Sequence, residues 1–510
     1  MANRSIALTL TACTLSAALA TLVLGTALAL ALRADRFSLR PAEWAALRFT
    51  LTQAGFSALL SGLLAVPLAR ALARRRFWGR GAVVTLLGAP FLLPVVVAVI
   101  GMLSVYGKSG IANVVLGALH LPQVSLFGLQ GVLMTNVFFN LPLCTRILLN
   151  GWAAIPAERF RLAETLNLPA AVRFRHLELP MLRQTLPGAA LTVFLLCLTS
   201  FVVSLTFGGG PRATTLELAI YQALRFDFDL GRAALLACLQ FVVCTLAVIV
   251  ATRLTLSPST GRGLDRDRPV IAGHPTDPVV IMLASLYLCL PLVMVIKDGL
   301  PGLPGLPQAV WVAALRSTLM ALASALLAST GALTLALSVA SRPSRLIEAA
   351  TMLPMAASGL VLGTGLFLIL RPFTTPDALA IPVTVLVNAA MALPLVFRLL
   401  LPEARALQAD YGPLAEALNL QGLSRLRHVT LPRLARPLGF GTGIAAALAM
   451  GDLGVIALFA GQDSATLPLM VSRLAGAYRM DQAASAALLL VALSFTLFAL
   501  FDRGGRHAAP

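Results

Sequence analysis

The sequence predicts an all-α polytopic membrane protein of about twelve transmembrane helices, arranged as two parallel six-helix repeats. Three observations predict it: the composition, the spacing of apolar stretches, and an internal repeat. Of 510 residues, 58% are hydrophobic and only 12% are charged. Soluble domains carry about 25% charged residues, so most of this surface is built to face lipid.

A span needs about 20 mostly apolar residues. Such stretches fall near 6–32, 48–70, 82–105, 125–149, 186–207 and 232–252. A second set falls near 278–296, 313–340, 348–370, 379–400, 437–460 and 483–501. Some hold proline (Pro90, Pro94, Pro142, Pro354, Pro394). Membranes tolerate this because neighbouring helices satisfy the freed carbonyls. The first apolar run, Ala7 to Leu32, exceeds the 7–15 residues of a secretory signal core and reads as an uncleaved anchor.

Charge sets the expected orientation. With the N-terminus in the cytoplasm, 26 of the 39 Lys and Arg residues share its side. They cluster at 70–80, 146–183, 253–268 and 398–436. The positive-inside rule then places both termini in the cytoplasm. The net charge of +18 would suggest nucleic acid in a soluble chain. Here the arginines flank apolar stretches, and no basic domain stands apart. The six cysteines all lie in apolar stretches without a C-x-x-C pair and read as small core residues.

The repeat is explicit. Leu162-Ala163-Glu164-Thr165-Leu166-Asn167-Leu168 recurs 252 residues later as Leu414-Ala415-Glu416-Ala417-Leu418-Asn419-Leu420. Arg175-His176-Leu177-Glu178-Leu179-Pro180 recurs as Arg427-His428-Val429-Thr430-Leu431-Pro432. Asn136, Leu141-Pro142-Leu143 and Arg146 recur as Asn388, Leu393-Pro394-Leu395 and Arg398. Matches accumulating at one offset mean duplication. The expected organisation is a first repeat over 1–253, a linker over 254–277 and a second repeat over 278–510. An even number of spans per repeat makes the copies parallel.

Each copy carries a short amphipathic helix, a turn, then Leu-Pro entering the next span. Leu162 with Leu166, and Leu414 with Leu418, share one helix face at i, i+4, a face suited to docking in a groove. This stretch resembles the coupling loop of ATP-binding-cassette importer permeases, whose pattern is Glu-Ala-Ala, three residues, Gly, then hydrophobic-x-Leu-Pro. Leu179-Pro180 and Leu431-Pro432 match the end of that pattern. At its start, Arg161 and Pro413 stand where Glu is usual, and Asn167 and Asn419 where Gly is usual. Asn is the next-best residue for a left-handed turn. Glu164 and Glu416 supply an acid about one turn after the usual one.

Over nearly the whole chain the sequence is similar to fused two-half permeases that import thiamine and its phosphates. The stretches that carry this include Leu93-Pro94-Val95-Val96-Val97-Ala98, Val137-Phe138-Phe139-Asn140-Leu141-Pro142 and Gly451-Asp452-Leu453-Gly454. The most specific is Gly208-Gly209-Gly210-Pro211 with the run from Ala213 to Leu224. The resemblance implies a type I importer permease fold in the bacterial inner membrane. It implies two copies of an ATP-binding subunit docked at 155–180 and 403–432, and a periplasmic thiamine-binding protein. The coupling residues would be Leu162, Glu164, Asn167, Pro180, Leu414, Glu416, Asn419 and Pro432. ATP and Mg would sit on the partner ATPase, with no cofactor on this chain.

The residues themselves name few chemical groups. Asp452 is the acid deepest in the membrane, near the outer end of the eleventh span, and intramembrane acids are commonly functional. Glu217 and Tyr221 lie one turn apart on a helix expected at the outer face. Asn136, Asn140 and Asn388 read as interhelical packing amides. No G-x-x-x-x-G-K-[ST] phosphate loop occurs, no catalytic constellation is visible, and no metal site has support. A fused ferric-iron permease is the nearest rival. An ion-coupled secondary transporter is the rival of a different class, and it usually has acids in several spans.

Overall fold

The computed structural model describes residues 2–34, 38–88, 92–208, 210, 213–254, 274–420, 422–461 and 464–508. Among them it is helical and holds no strand. Lipid offers no hydrogen bonds, so an apolar run must satisfy its backbone internally, and a helix does so within one segment.

In the first copy the helices are α1 (Ala2–Arg33), α2 (Pro41–Arg74), α3 (Arg80–Leu86), α4 (Val95–Tyr106), α5 (Ile111–Ala118) and α6 (Leu129–Ala154). They continue with α7 (Ala157–Thr165), α8 (Ala170–Arg173), α9 (Leu179–Leu198), α10 (Phe201–Phe207), α11 (Leu216–Arg225) and α12 (Leu230–Leu254). The second copy starts with α13 (Asp277–Gly299), α14 (Gln308–Ser341), α15 (Arg345–Met352), α16 (Gly359–Leu370) and α17 (Ala380–Ala417). It ends with α18 (Gly422–Arg425), α19 (Leu431–Met450), α20 (Gly454–Phe459), α21 (Leu467–Gly476) and α22 (Met480–His507). Among the described residues, 11 helices are long and apolar enough to cross a membrane, or 12 if one bent pair counts as a span.

Several expected spans are displaced or broken. Of the third, expected at 82–105, α3 ends at Leu86 and α4 starts at Val95. Pro94 holds extended ψ at the N-cap of α4, which a proline without N–H favours. The ninth, expected at 348–370, bends by 92° between Ala356 and Gly359, where Ser358 Oγ accepts from Val361 N at 3.2 Å and starts α16 anew. The fifth, expected at 186–207, starts at Leu179 and breaks after Leu198, and the eleventh, expected at 437–460, breaks between Met450 and Gly454. The tenth, expected at 379–400, runs on to Ala417 despite Pro394, Pro402 and Pro413. Pro90, Gly209, Pro211 and residues 255–273 of the expected linker lie outside the described residues.

Leu-Pro opens α9 and α19, each directly out of a wider turn. Leu179 and Leu431 donate to the carbonyls five residues back, at Phe174 and Leu426. Each closes one π-turn, Phe174–Glu178 and Leu426–Thr430, that joins smoothly to α9 or α19. The cause is Pro180 and Pro432: a proline ring collides with the carbonyl four residues earlier, and a wider turn relieves it.

The copies share contacts as well as helices. Thr50 Oγ1 on α2 accepts from Leu216 N at 2.9 Å, and Ser317 Oγ on α14 accepts from Leu467 N at 2.7 Å. Both bonds fix a short helix after a break to the long second helix of its copy. The first helix of each copy also crosses to the other. α1 packs on α12 and on α16, while α13 packs on α22 and on α4. Both crossings need a glycine. A Cβ on Gly101 of α4 would sit 2.6 Å from the Pro291 carbonyl oxygen, and one on Gly365 of α16 would sit 2.6 Å from Thr26 Cβ. Small residues let membrane helices approach closely where no hydrophobic effect drives them together.

Gly101→Ala and Gly365→Ala should each destabilise by about 1–3 kcal/mol through overpacking. The two effects should add, because the sites are separate. Thermal midpoints of the purified protein in detergent measure this. Two unchanged midpoints would mean that the crossings are loose.

Candidate functional site

The breaks in the third, fifth, ninth and eleventh spans open on one cavity of about 350 Å³. Leu93 and Val95 line it from the first break, and Thr199, Ser200 and Phe201 from the second. Ser358 and Gly359 line it from the third, and Gly451 through Gly454 from the fourth. Asn136, Phe139, Asn140 and Met391 complete much of the wall. The volume suits a small molecule. Irregular backbone at membrane depth survives only when buried in protein or lining such a space, so one cavity accounts for all four breaks.

The breaks pack across the two copies. A Cβ on Gly451 would meet Pro94 Cα at 3.1 Å. On the other side Glu217 contacts the Ser358 side chain and the Phe201 backbone.

The first copy holds its fifth-span break with amides. The carbonyls of Cys197 and Leu198 lose their helical donors there. Gln53 Nε2 donates to Cys197 O at 2.7 Å and Gln240 Nε2 to Leu198 O at 3.0 Å. Asn136 Nδ2 then donates to Gln53 Oε1 at 2.8 Å and to Ser57 Oγ at 3.2 Å. Asn140 donates to the Asn136 carbonyl at 2.8 Å. The asparagines read from sequence as packing amides therefore do pack, yet Asn136 and Asn140 also face the cavity.

The second copy lacks this scaffold. Helices α2 and α14 align residue for residue, which puts Met320 where Gln53 stands. Leu490 stands where Gln240 does, by the alignment of α12 with α22. Asn388, the counterpart of Asn136, has no glutamine or serine to take its Nδ2. It lies beside the carboxyl of Asp452. At the 252-residue offset Asp452 aligns with Ser200.

Two expectations change. Asp452 is not on a helix: it sits in the break between α19 and α20, with its carboxyl against the backbone N–H groups of residues 454–456. Glu217 is buried within the protein rather than open to solvent. It is 2% exposed and lines the same cavity. Tyr221, expected beside it, turns away and packs edge-on against Phe201 and Phe226, with ring centroids 5.3 and 5.8 Å apart. Among the described residues the cavity wall holds these two carboxylates and no Lys, Arg or His, in a chain of net charge +18. Sequence alone showed neither the convergence of Asp452 with Glu217 nor Ser200 and Ser358 in the wall. The visible signal was the Pro, Gly and Ser residues at the four breaks.

The repeated segments at 155–180 and 403–432 present a second candidate surface. Leu162, Leu166, Leu414 and Leu418 are 54–61% exposed. Phe160 and Ala163, and Gly412 and Ala415, turn inward on the opposite faces. Both helices end identically. Asn167 and Asn419 take left-handed φ of 47° and 50°. Leu168 N donates to Ala163 O at 3.0 Å and Leu420 N to Ala415 O at 2.8 Å, which closes a Schellman cap. Glu164 and Glu416 are exposed beside the leucines, and Pro180 and Pro432 follow the π-turns. The segments differ at their start. Pro156 separates α7 from α6, whereas α17 runs unbroken into its segment.

Broken spans around one cavity with carboxylates in its wall, and a repeated pair of exposed helices, define a polytopic permease. No family model matches the chain. It is 40% identical over 508 residues to the thiamine transport system permease protein ThiP of Brucella abortus (strain 2308), covering 95% of this chain and 93% of that protein. It is 41% identical to the ThiP proteins of Salmonella typhimurium, over 91% of this chain and 90% of that one, and of Escherichia coli K12, over 90% and 89%. The chain belongs to the thiamine transport system permease family.

Gln53→Leu should cost about 1–3 kcal/mol in all, because it removes two buried hydrogen bonds, to Asn136 Nδ2 and to the Cys197 carbonyl, each of which keeps one other partner. Met320→Leu, at the equivalent position, should cost less than about 1.5 kcal/mol. Thermal unfolding of the two purified variants decides. Equal midpoints would mean that the first break needs no amide scaffold.

Proposed function

We propose that this chain is the membrane-spanning permease of an importer that carries thiamine into the cytoplasm, driven by a separate ATP-hydrolysing subunit. One observation carries the reading beyond the relatives' names. The cavity between the copies is lined by two carboxylates and no basic side chain. Thiamine carries a permanently positive thiazolium ring, and a wall with acidic and no basic groups, with the Phe139 and Phe201 rings in it, favours a desolvated cation.

The route is built from both copies. Substrate released by a periplasmic binding protein enters between the four breaks, with Asp452 and Glu217 in the wall. Two ATPase subunits dock on the helices around Leu162 and Leu166 and around Leu414 and Leu418. Their closure on ATP draws the helices together and biases which side of the cavity is open, a population shift driven by nucleotide. Glu164, Asn167 and Pro180, with Glu416, Asn419 and Pro432, shape the docked segments. The chain itself binds no nucleotide in this scheme, and ATP and Mg stay on the partner. Both termini lie in the cytoplasm, on the arginine-rich side. The duplication supports a division into repeats at 1–253 and 278–510.

Proteoliposomes holding the chain, its ATPase and its binding protein should hydrolyse ATP faster with thiamine and not with ferric iron. The reverse pattern would replace the substrate, and uptake following an ion gradient without ATP would replace the mechanism. Leu162→Asp with Leu414→Asp should reduce thiamine-stimulated hydrolysis about tenfold or more, because charges enter an apolar contact. Full stimulation in that variant would move the docking site elsewhere.

A further inference from the structure

We propose that Asp452 alone supplies the negative charge that contacts the transported cation, that Asn388 positions it, and that Glu217 is a strut between the copies. This rests on the thiamine-importer reading above and divides the labour within that site.

The two acids differ in what they already hold. Glu217 is 2% exposed, and its carboxyl is engaged by the Ser358 side chain and the Phe201 backbone. Ser358 starts α16 and Phe201 starts α10. Glu217 therefore ties a break in one copy to a break in the other, and a contact with cargo would cost it those bonds. Its aligned partner in the second copy is Pro468, which can form no such tie.

Asp452 is less enclosed, and it sits on irregular backbone rather than on a helix face. One face of its carboxyl meets the backbone N–H groups at the start of α20. Oδ2 has no hydrogen-bond partner. Behind it stands Asn388, 9% exposed, whose side-chain amide is directed at the carboxyl and has no other hydrogen-bond partner. A buried amide needs a partner, and this one has only the carboxylate at the cavity wall. The first copy shows what a purely structural version looks like. There Ser200 replaces the acid, and Gln53 and Ser57 consume the asparagine. Loss of that scaffold in the second copy leaves an amide free to steady a carboxylate against a cation. A pseudo-symmetric cavity thereby gains one charged side, which fixes the orientation of an asymmetric cargo.

The test uses the full transport complex in proteoliposomes and measures initial thiamine uptake with saturating binding protein. Asp452→Asn keeps the cap on α20 and removes the charge. Maximal uptake should fall at least about tenfold, the scale of one charge-assisted hydrogen bond, and Asp452→Glu should restore part of it. Asn388→Ala should lower maximal uptake about threefold or more without changing the concentration for half-maximal uptake, which the binding protein sets. Glu217→Gln should instead lower the thermal midpoint, and its loss of uptake per folded complex should be several-fold smaller than that of Asp452→Asn. Gel filtration and thermal unfolding of each variant give the folded fraction. Wild-type uptake by Asp452→Asn, or equal loss in Asp452→Asn and Asp452→Glu, would overturn the assignment and leave the importer reading standing. A wild-type complex that ignores thiamine would overturn the importer reading first.

Discussion

A backbone carbonyl without a donor inside a membrane has nowhere to turn but to protein. This constraint organises the whole molecule. Four spans break near the centre, and every break must find partners for what it frees. Gln53 and Gln240 take the carbonyls of Cys197 and Leu198, Ser358 caps α16, and the Asp452 carboxyl meets the start of α20. Ser494 Oγ donates to the Leu92 carbonyl at 3.2 Å, bringing the last helix to the first break. The side chains that repair the breaks are the ones that shape the cavity.

Duplication supplies the frame and divergence supplies the chemistry. The bonds Thr50–Leu216 and Ser317–Leu467, the crossings at Gly101 and Gly365, and the caps at Asn167 and Asn419 are near copies. These are contacts whose geometry both repeats must keep. At the cavity the copies part. Gln53 faces Met320, Ser200 faces Asp452, and Glu217 faces Pro468. A two-fold frame whose two sides carry different groups suits a cargo that has two different ends.

Much of the frame was legible from residues. Span number followed from apolar length, and the left-handed caps followed from Asn standing where glycine is usual. The breaks were not. A stretch such as 82–105 is apolar throughout, and hydropathy does not register a bend. Pro94 and Ser358 marked breaks, yet Pro394, Pro402 and Pro413 sit inside α17 without breaking it. What separates these cases is whether neighbouring helices satisfy the freed groups, a tertiary fact. The cavity was hidden for the same reason. Asp452 was visible as a deep acid, but its meeting with Glu217 depends on two breaks lying opposite each other. The π-turns before Pro180 and Pro432 escaped because Leu-Pro reads as a helix start.

The crossing of the first helices has a consequence for how the chain is made. The glycine face of α4 is covered by α13, which lies beyond residue 276, and α1 is covered on one side by α16. A ribosome that has finished the first copy has therefore produced six spans with an open seam. That seam must stay soluble in lipid until the second copy arrives to close it. Joining the copies in one polypeptide keeps the closing surface tethered nearby, at high local concentration, during that interval. Fusion is thus a solution to assembly order as much as to stoichiometry.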